Sequence, residues 1–167
     1  MEVSNKVNHW LSFARVVSVL VTVTVRPRPQ ELHARICDAI TKLFPDHTGT
    51  NSEPQTFPVI AEANDIVHQT KDVSFFIERM QQQRILDTAM DIMALKSDGT
   101  STSFRLGLAA AEAGKVSFVL PNDPTPPGNE MTVIIKGTEL DHWIEEKTWH
   151  EGRRRHPRHI GDERTLD

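Results

Sequence analysis

Valine alternates with small polar residues early in the chain. Val17, Val19, Val21, Val23 and Val25 share one parity, and Ser18, Thr22 and Thr24 the other. Period-2 alternation of β-branched residues predicts a half-buried strand over residues 17–26. The spacing then changes. Leu32, Ile36, Ala39, Ile40 and Leu43 form one apolar helical face, with Arg35, Asp38 and Lys42 off it and Pro45 past its end. Phe57, Val59, Ala61 and Ala63 alternate again and predict a second strand, with Pro58 favouring an edge or a strand start. Asp72 is the expected N-cap of a helical stretch from Val73 to Leu95. Its apolar face changes phase across Gln81-Gln82-Gln83, which allows two helices meeting at a kink. Three short alternating runs follow, at Phe104–Leu108, Val116–Leu120 and Met131–Ile135. Ala109 to Glu112 connects the first two, closed by Gly114, and a Pro/Gly loop joins the last two, which are expected to pair antiparallel. Leu140, Trp143 and Ile144 predict a last helix, with Trp149 beyond it.

The order reads β-α-β-α-β-β-β-α. It predicts an α+β fold with a mixed or antiparallel sheet and helices packed on one face. Residues 1–15 lack a clean period and read either as a short helix carrying Trp10 or as an unstructured arm. Residues 16–150 are expected to form a single domain, preceded by an N-terminal extension over residues 1–15. Residues 151–167 are polar without apolar periodicity and read as a disordered Arg-rich tail.

The formal charge of the 167-residue chain is −4, which excludes a strongly basic chain whose net field announces nucleic acid. The distribution is uneven. Residues 16–138 hold 11 basic and 14 acidic groups, residues 139–151 one basic and five acidic, and residues 152–167 five basic and three acidic. Arg153, Arg154, Arg155 and Arg158 are clustered in that last stretch, in a run that can contact phosphate or simply solubilise a tail. The apolar run Val16–Val25 is too short to span a bilayer, which needs about 20 residues. Its alternation, and the Arg26-Pro27-Arg28-Pro29 that follows, oppose a signal peptide. With the lone cysteine, Cys37, this leads to an expectation of a cytoplasmic protein without membrane contact.

Candidate chemistry is sparse. A single cysteine excludes an intrachain disulfide and a cysteine zinc cluster. Cys37 lies beside the first helix's apolar face, where a structural thiol is the simpler reading. His150, His156 and His159 cluster beside arginines that repel a cation, so no metal site and no cofactor are expected. There is no G-x-S-x-G, P-loop or G-x-G-x-x-G, and no enzymatic activity is expected. Asp87 and Asp91 stand at helical i,i+4 spacing, usually a solvated face. Phe76, Phe104 and Phe118 occupy apolar phases and read as core, so base stacking is not expected of them.

The segment Gln83–Ala89 (QRILDTA), then Gly114–Val119 (GKVSFV), then the loop ending Pro127-Gly128 before Met131–Ile135 (MTVII), together resemble an archaeal family of small uncharacterised proteins described as RNA-binding or exosome-associated. The resemblance covers roughly residues 17–148. It implies an α+β fold similar to that of the large-subunit ribosomal protein that binds 5S RNA. Arg84 and Asp87 match the family's R-x-x-D, and Gly114-Lys115 its G-K. Arg84 and Asp87 are expected to form an intrahelical ion pair, Gly114 to supply a turn conformation that a Cβ opposes, and Lys115 to contact phosphate or solvent. Gly128 belongs to the loop motif. Relatives often carry N-K-Q where this chain has Gly107-Leu108-Ala109.

The resulting expectation is a non-catalytic RNA-binding or RNA-processing accessory protein. Arg84, Arg105, Lys115, Arg153, Arg154 and Arg155 are its phosphate contacts, and RNA and RNA-processing proteins its partners. The alternative is a protein-interaction or homodimerisation module.

Overall fold

A computed structural model of the chain describes residues 18–28, 33–45, 48–49, 65–124 and 129–161. The strand expected at 57–63, the N-terminal extension and Gly128 lie outside the described residues. Six strands form one sheet: β1 (Val19–Val25), β2 (Thr48–Gly49), β3 (Ile66–Thr70), β4 (Ser101–Gly107), β5 (Phe118–Val119) and β6 (Glu130–Gly137). Their spatial order is β2-β3-β1-β6-β4-β5, and each neighbouring pair runs antiparallel. The helices are α1 (His33–Leu43), α2 (Ser74–Gln82), α3 (Leu86–Leu95), α4 (Leu108–Glu112), α5 (Leu140–Lys147) and α6 (Gly152–Arg155). The fold is α+β, as the pattern predicts.

One face of the sheet is buried and the other is not. Val19, Val21, Val23 and Val25 of β1, Phe104 and Leu106 of β4, and Met131, Val133 and Ile135 of β6 all point into one core. The helices close that core with Ile36, Ala39, Ile40 and Leu43 of α1, the apolar faces of α2 and α3, and Leu140, Trp143 and Ile144 of α5. Phe76 stacks on Phe44 at 5.1 Å and on Phe104 at 6.1 Å between ring centroids, and Phe118 meets Phe104 edge-on at 5.6 Å. Phe76 and Phe104 are core and Phe118 packs half-buried against it, as expected.

Three features depart from the sequence reading. First, β3 has no counterpart in the predicted elements. Its inward positions are Ile66, His68 and Thr70, so two of three buried side chains are polar and the alternation is masked. His68 Nε2 lies 3.6 Å from Cys37 Sγ, across the contact of β3 with α1. Second, β5 and β6 do not pair. β5 folds back on β4, with Gly107 N–H donating to Ser117 O at 2.9 Å, and β6 runs along β4's other side. The one-turn helix α4 reverses the chain, and the proline loop then carries it past β4. Third, residues 150–161 are not an unordered tail. They form a strap, including α6, packed against α3 and α5 and described below.

The kink between α2 and α3 is a Schellman cap. Ile85 N–H donates to Met80 O at 3.1 Å and Arg84 N–H to Gln81 O at 3.1 Å. Arg84 occupies the left-handed position of that motif with φ 58°, where glycine is usual. At its start, α2 receives Asp72 one residue before its N-cap, where the carboxylate accepts Ser74 N–H at 2.9 Å.

Candidate nucleic-acid interface

The same cap recurs at the end of α4. Lys115 N–H donates to Ala110 O and Gly114 N–H to Ala111 O, both at 2.9 Å. Gly114 holds φ +71°, and no atom lies within 4 Å of where its Cβ would stand, so the requirement is conformational and not steric. Gln83 ties the two caps together. Its Nε2 donates to Val116 O at 2.9 Å, and its Oε1 accepts Val116 N–H at 2.8 Å. This bracket places the residue after Gln83, Arg84, beside the residue before Val116, Lys115. Both are exposed. Neither pairs with a carboxylate among the described residues. The two motifs, QRILDTA and GKVSFV, are therefore one site in space, at the end of the sheet where β5 forms the edge.

The remaining predicted contacts do not join it. Arg105 lies on the sheet face opposite the helices. Its Nη1 pairs with Glu130 Oε2 at 2.9 Å and its Nη2 donates to Leu120 O at 2.9 Å, so its charge is engaged. The arginine run has been turned into structure. Arg153 is only 6% exposed, and its Nε and Nη2 donate to Asp87 Oδ1 at 3.1 and 3.0 Å. Its Nη1 donates to Thr148 Oγ1 at 3.1 Å. Arg154 pairs with Glu151 and lies over the Trp149 ring. Arg155, at the end of α6, is exposed.

Asp87 therefore does not pair with Arg84. With its left-handed backbone in the connector, Arg84 shares no helical face with Asp87, and the carboxylate turns to the strap. It accepts from Arg153 and faces His150 Nε2 at 3.0 Å and Arg158 Nη1 at 3.7 Å. Gly152 N–H donates to His150 Nδ1 at 3.2 Å, which leaves the ring hydrogen on Nε2, toward Asp87. A Cβ on Gly152 would stand 2.9 Å from the His150 ring, so the close approach needs glycine. Burial tends to raise the Asp87 pKa. The hydrogen bonds from His150 and Arg153 and the Arg153 charge together outweigh it and hold the carboxyl below its ordinary value. Arg158 pairs with Asp91 one turn further along α3. The i,i+4 carboxylates are thus the anchor of the strap.

Gln83 and the strap partners carry no local sequence signal. An amide that bonds a backbone 33 residues away looks like any surface glutamine. Among the described residues, no group of three or more His, Cys, Asp or Glu side chains is placed to hold a metal ion, and no helix is long and apolar enough to cross a membrane.

No family model matches the chain. It is 28% identical over 130 residues to a UPF0201 protein of Sulfurisphaera tokodaii, covering 77% of this chain and 88% of that one. The crystal structure of a UPF0201 protein from Methanococcus jannaschii superposes with a TM-score of 0.62 at 24% identity, over 79% of this chain and 99% of the other. A second, uncharacterised UPF0201 protein superposes with a TM-score of 0.61 at 19% identity, over 75% and 90%. These relatives support an archaeal uncharacterised family, and the solved structures share the fold.

Proposed function

We propose that the protein is a non-catalytic RNA-binding or RNA-processing accessory protein, and that its phosphate contacts are Arg84 and Lys115 on the bracketed caps. The observation that carries this reading is the Gln83–Val116 bracket, which ties together the two backbone caps that carry the exposed cations Arg84 and Lys115. Cations held this way meet a phosphate without first being released from a carboxylate. Arg105 and Arg153 leave the predicted set, because their donors are already spent within the fold.

The footprint is small, so affinity is modest and electrostatic. Two phosphates neutralised on a single strand give a slope of about −1.4 in log K against log salt. Filter binding with a single-stranded RNA and a salt titration tests this. The expected result is binding at about 50 mM salt with that slope, abolished in the Arg84→Glu, Lys115→Glu double variant and unchanged in Arg105→Gln. Absence of binding at low salt, or of any slope, overturns it.

A second reading, a protein-interaction module, is favoured by the sheet face opposite the helices. It carries Leu20, Ile134 and Val67, the last 38% exposed, among threonines. Light scattering that shows a dimer, disrupted by Ile134→Glu, supports this reading over the first.

A further inference from the structure

Between α5 and the strap lies a pocket of about 390 Å3. That volume suits a small organic molecule. Glu145, Glu146 and Trp149 line its helix side, and Arg153, Arg158 and His159 its strap side. The arginines bring little free charge, because Arg153 is spent on Asp87 and Arg158 on Asp91 and Asp87. Glu145 accepts Ile160 N–H at 2.6 Å and stands 3.6 Å from His159 Nδ1. Glu146 is exposed and has no cationic partner among the described residues. Beside the imidazole of His142, which also lines the pocket, the uncommitted formal charge is that of Glu146 and is negative.

Trp149 completes the picture. It is 45% exposed at the pocket wall, so part of its ring is open to a ligand. The Arg154 guanidinium already sits 5.7 Å from its ring centroid, so the ring receives a cation within the fold itself. A tryptophan face beside an unpaired carboxylate is a recognition arrangement for a positively charged headgroup.

We propose that this pocket binds a small organic cation, with its ammonium or guanidinium head between the Trp149 ring and the Glu146 carboxylate. The site is separate from the Arg84–Lys115 pair and requires no nucleic acid. Its second wall exists only while the strap is docked, so ligand binding and strap docking stabilise each other.

Isothermal titration of the full chain with spermidine and with agmatine tests the proposal, and an uncharged diol of similar length is the control. The expected dissociation constant is about 1 mM or below. Glu146→Gln lies on the exposed side of α5 and is expected to weaken binding by roughly threefold, and Trp149→Ala by roughly tenfold. Glu78→Gln on α2, far along the chain from the pocket, leaves binding unchanged. Equal binding of the diol, equal loss in Glu78→Gln, wild-type affinity in both pocket variants, or no heat up to about 10 mM ligand overturns the proposal.

Discussion

Two stretches of this chain carry clustered or motif-borne basic residues, and they end in opposite states. The arginine run at 153–158 is the densest positive charge in the sequence, yet its first and last members are consumed. Arg153 is buried on Asp87, and Arg158 pairs with Asp91. Arg84 and Lys115 are isolated in sequence and sit in a net acidic body, yet they are exposed and brought together by a glutamine that belongs to neither charge cluster. The contrast teaches that linear charge density says little about availability. What decides it is whether a carboxylate waits across the fold. Asp87 lies three residues after Arg84, a reach of at most about 11 Å, so clamp and site share one corner of α3 but divide its chemistry.

The largest effect is expected at the clamp. Arg153→Ala removes the only deeply buried cation of the strap and leaves a void beside Thr148 and Asp87. Breaking a fully buried pair costs about 3–5 kcal/mol. The Asp87 side chain is 47% exposed, so water repairs part of the loss. The expected destabilisation is about 2–4 kcal/mol by urea unfolding. If the strap is a solubilising tail, the midpoint will not move. RNA affinity should persist in this variant wherever it stays folded, which separates clamp from site.

Gln83→Ala is the corresponding break at the site. It strips the side-chain partners from both the N–H and the C=O of Val116, a residue only 3% exposed. Leaving such groups unsatisfied costs about 1–3 kcal/mol. The Val116 amide should lose hydrogen-exchange protection. RNA binding should also weaken, because the caps that carry Arg84 and Lys115 are no longer tied together. A variant as stable as wild type, with Val116 still protected, would show that the two caps meet without the bracket.

The clamp also has a pH signature. The Asp87 carboxyl is held below its ordinary value in the folded state, so the stability it contributes is fully present above the unfolded value of about 3.9. It is lost as pH falls through the depressed folded value. Asp87→Asn should therefore cost about 1–2 kcal/mol at neutral pH. The difference from wild type should shrink as pH falls through the depressed folded value and the wild-type carboxylate takes up its proton. A difference that stays constant across that range would mean that Asp87 acts through shape and not through charge.

How much of this was legible in the sequence follows from what each residue depends on. β1 and α1 depend on local periodicity, and Val19–Val25 and Ile36–Leu43 show it directly. The α2–α3 break was visible as a phase change, but its form was not, since a Schellman cap announces itself by glycine and here the position is Arg84. β3 hid because His68 and Thr70 point inward. The exchange of β5 for β6 beside β4 is a choice between non-local pairings, which connection length does not resolve. In sequence the strap reads as a tail, because the partner of Arg153 lies 66 residues earlier. Of the candidate site, the motif residues were legible one at a time. Their meeting was not, since it rests on Gln83.

The smallest prediction concerns Arg84 itself and has the opposite sign. At φ 58° an L-residue pays for contact between its Cβ and its own backbone, roughly 1 kcal/mol relative to glycine. Part of this is returned, because a cation at the C-terminal end of α2 meets the carbonyl end of the helix, worth about 0.3–1 kcal/mol. Glycine also loses more backbone entropy on folding. Arg84→Gly should thus come out between neutral and about 1 kcal/mol more stable, read as a slightly higher urea midpoint. Its RNA affinity should fall and the salt slope should lose about half, since one of two phosphate contacts is gone. That combination, stability kept or gained while binding is lost, is what a residue retained for contact produces. A stability loss of more than about 1 kcal/mol in Arg84→Gly would instead make Arg84 a structural residue like the arginines of the clamp, and the contrast between the two basic regions would collapse.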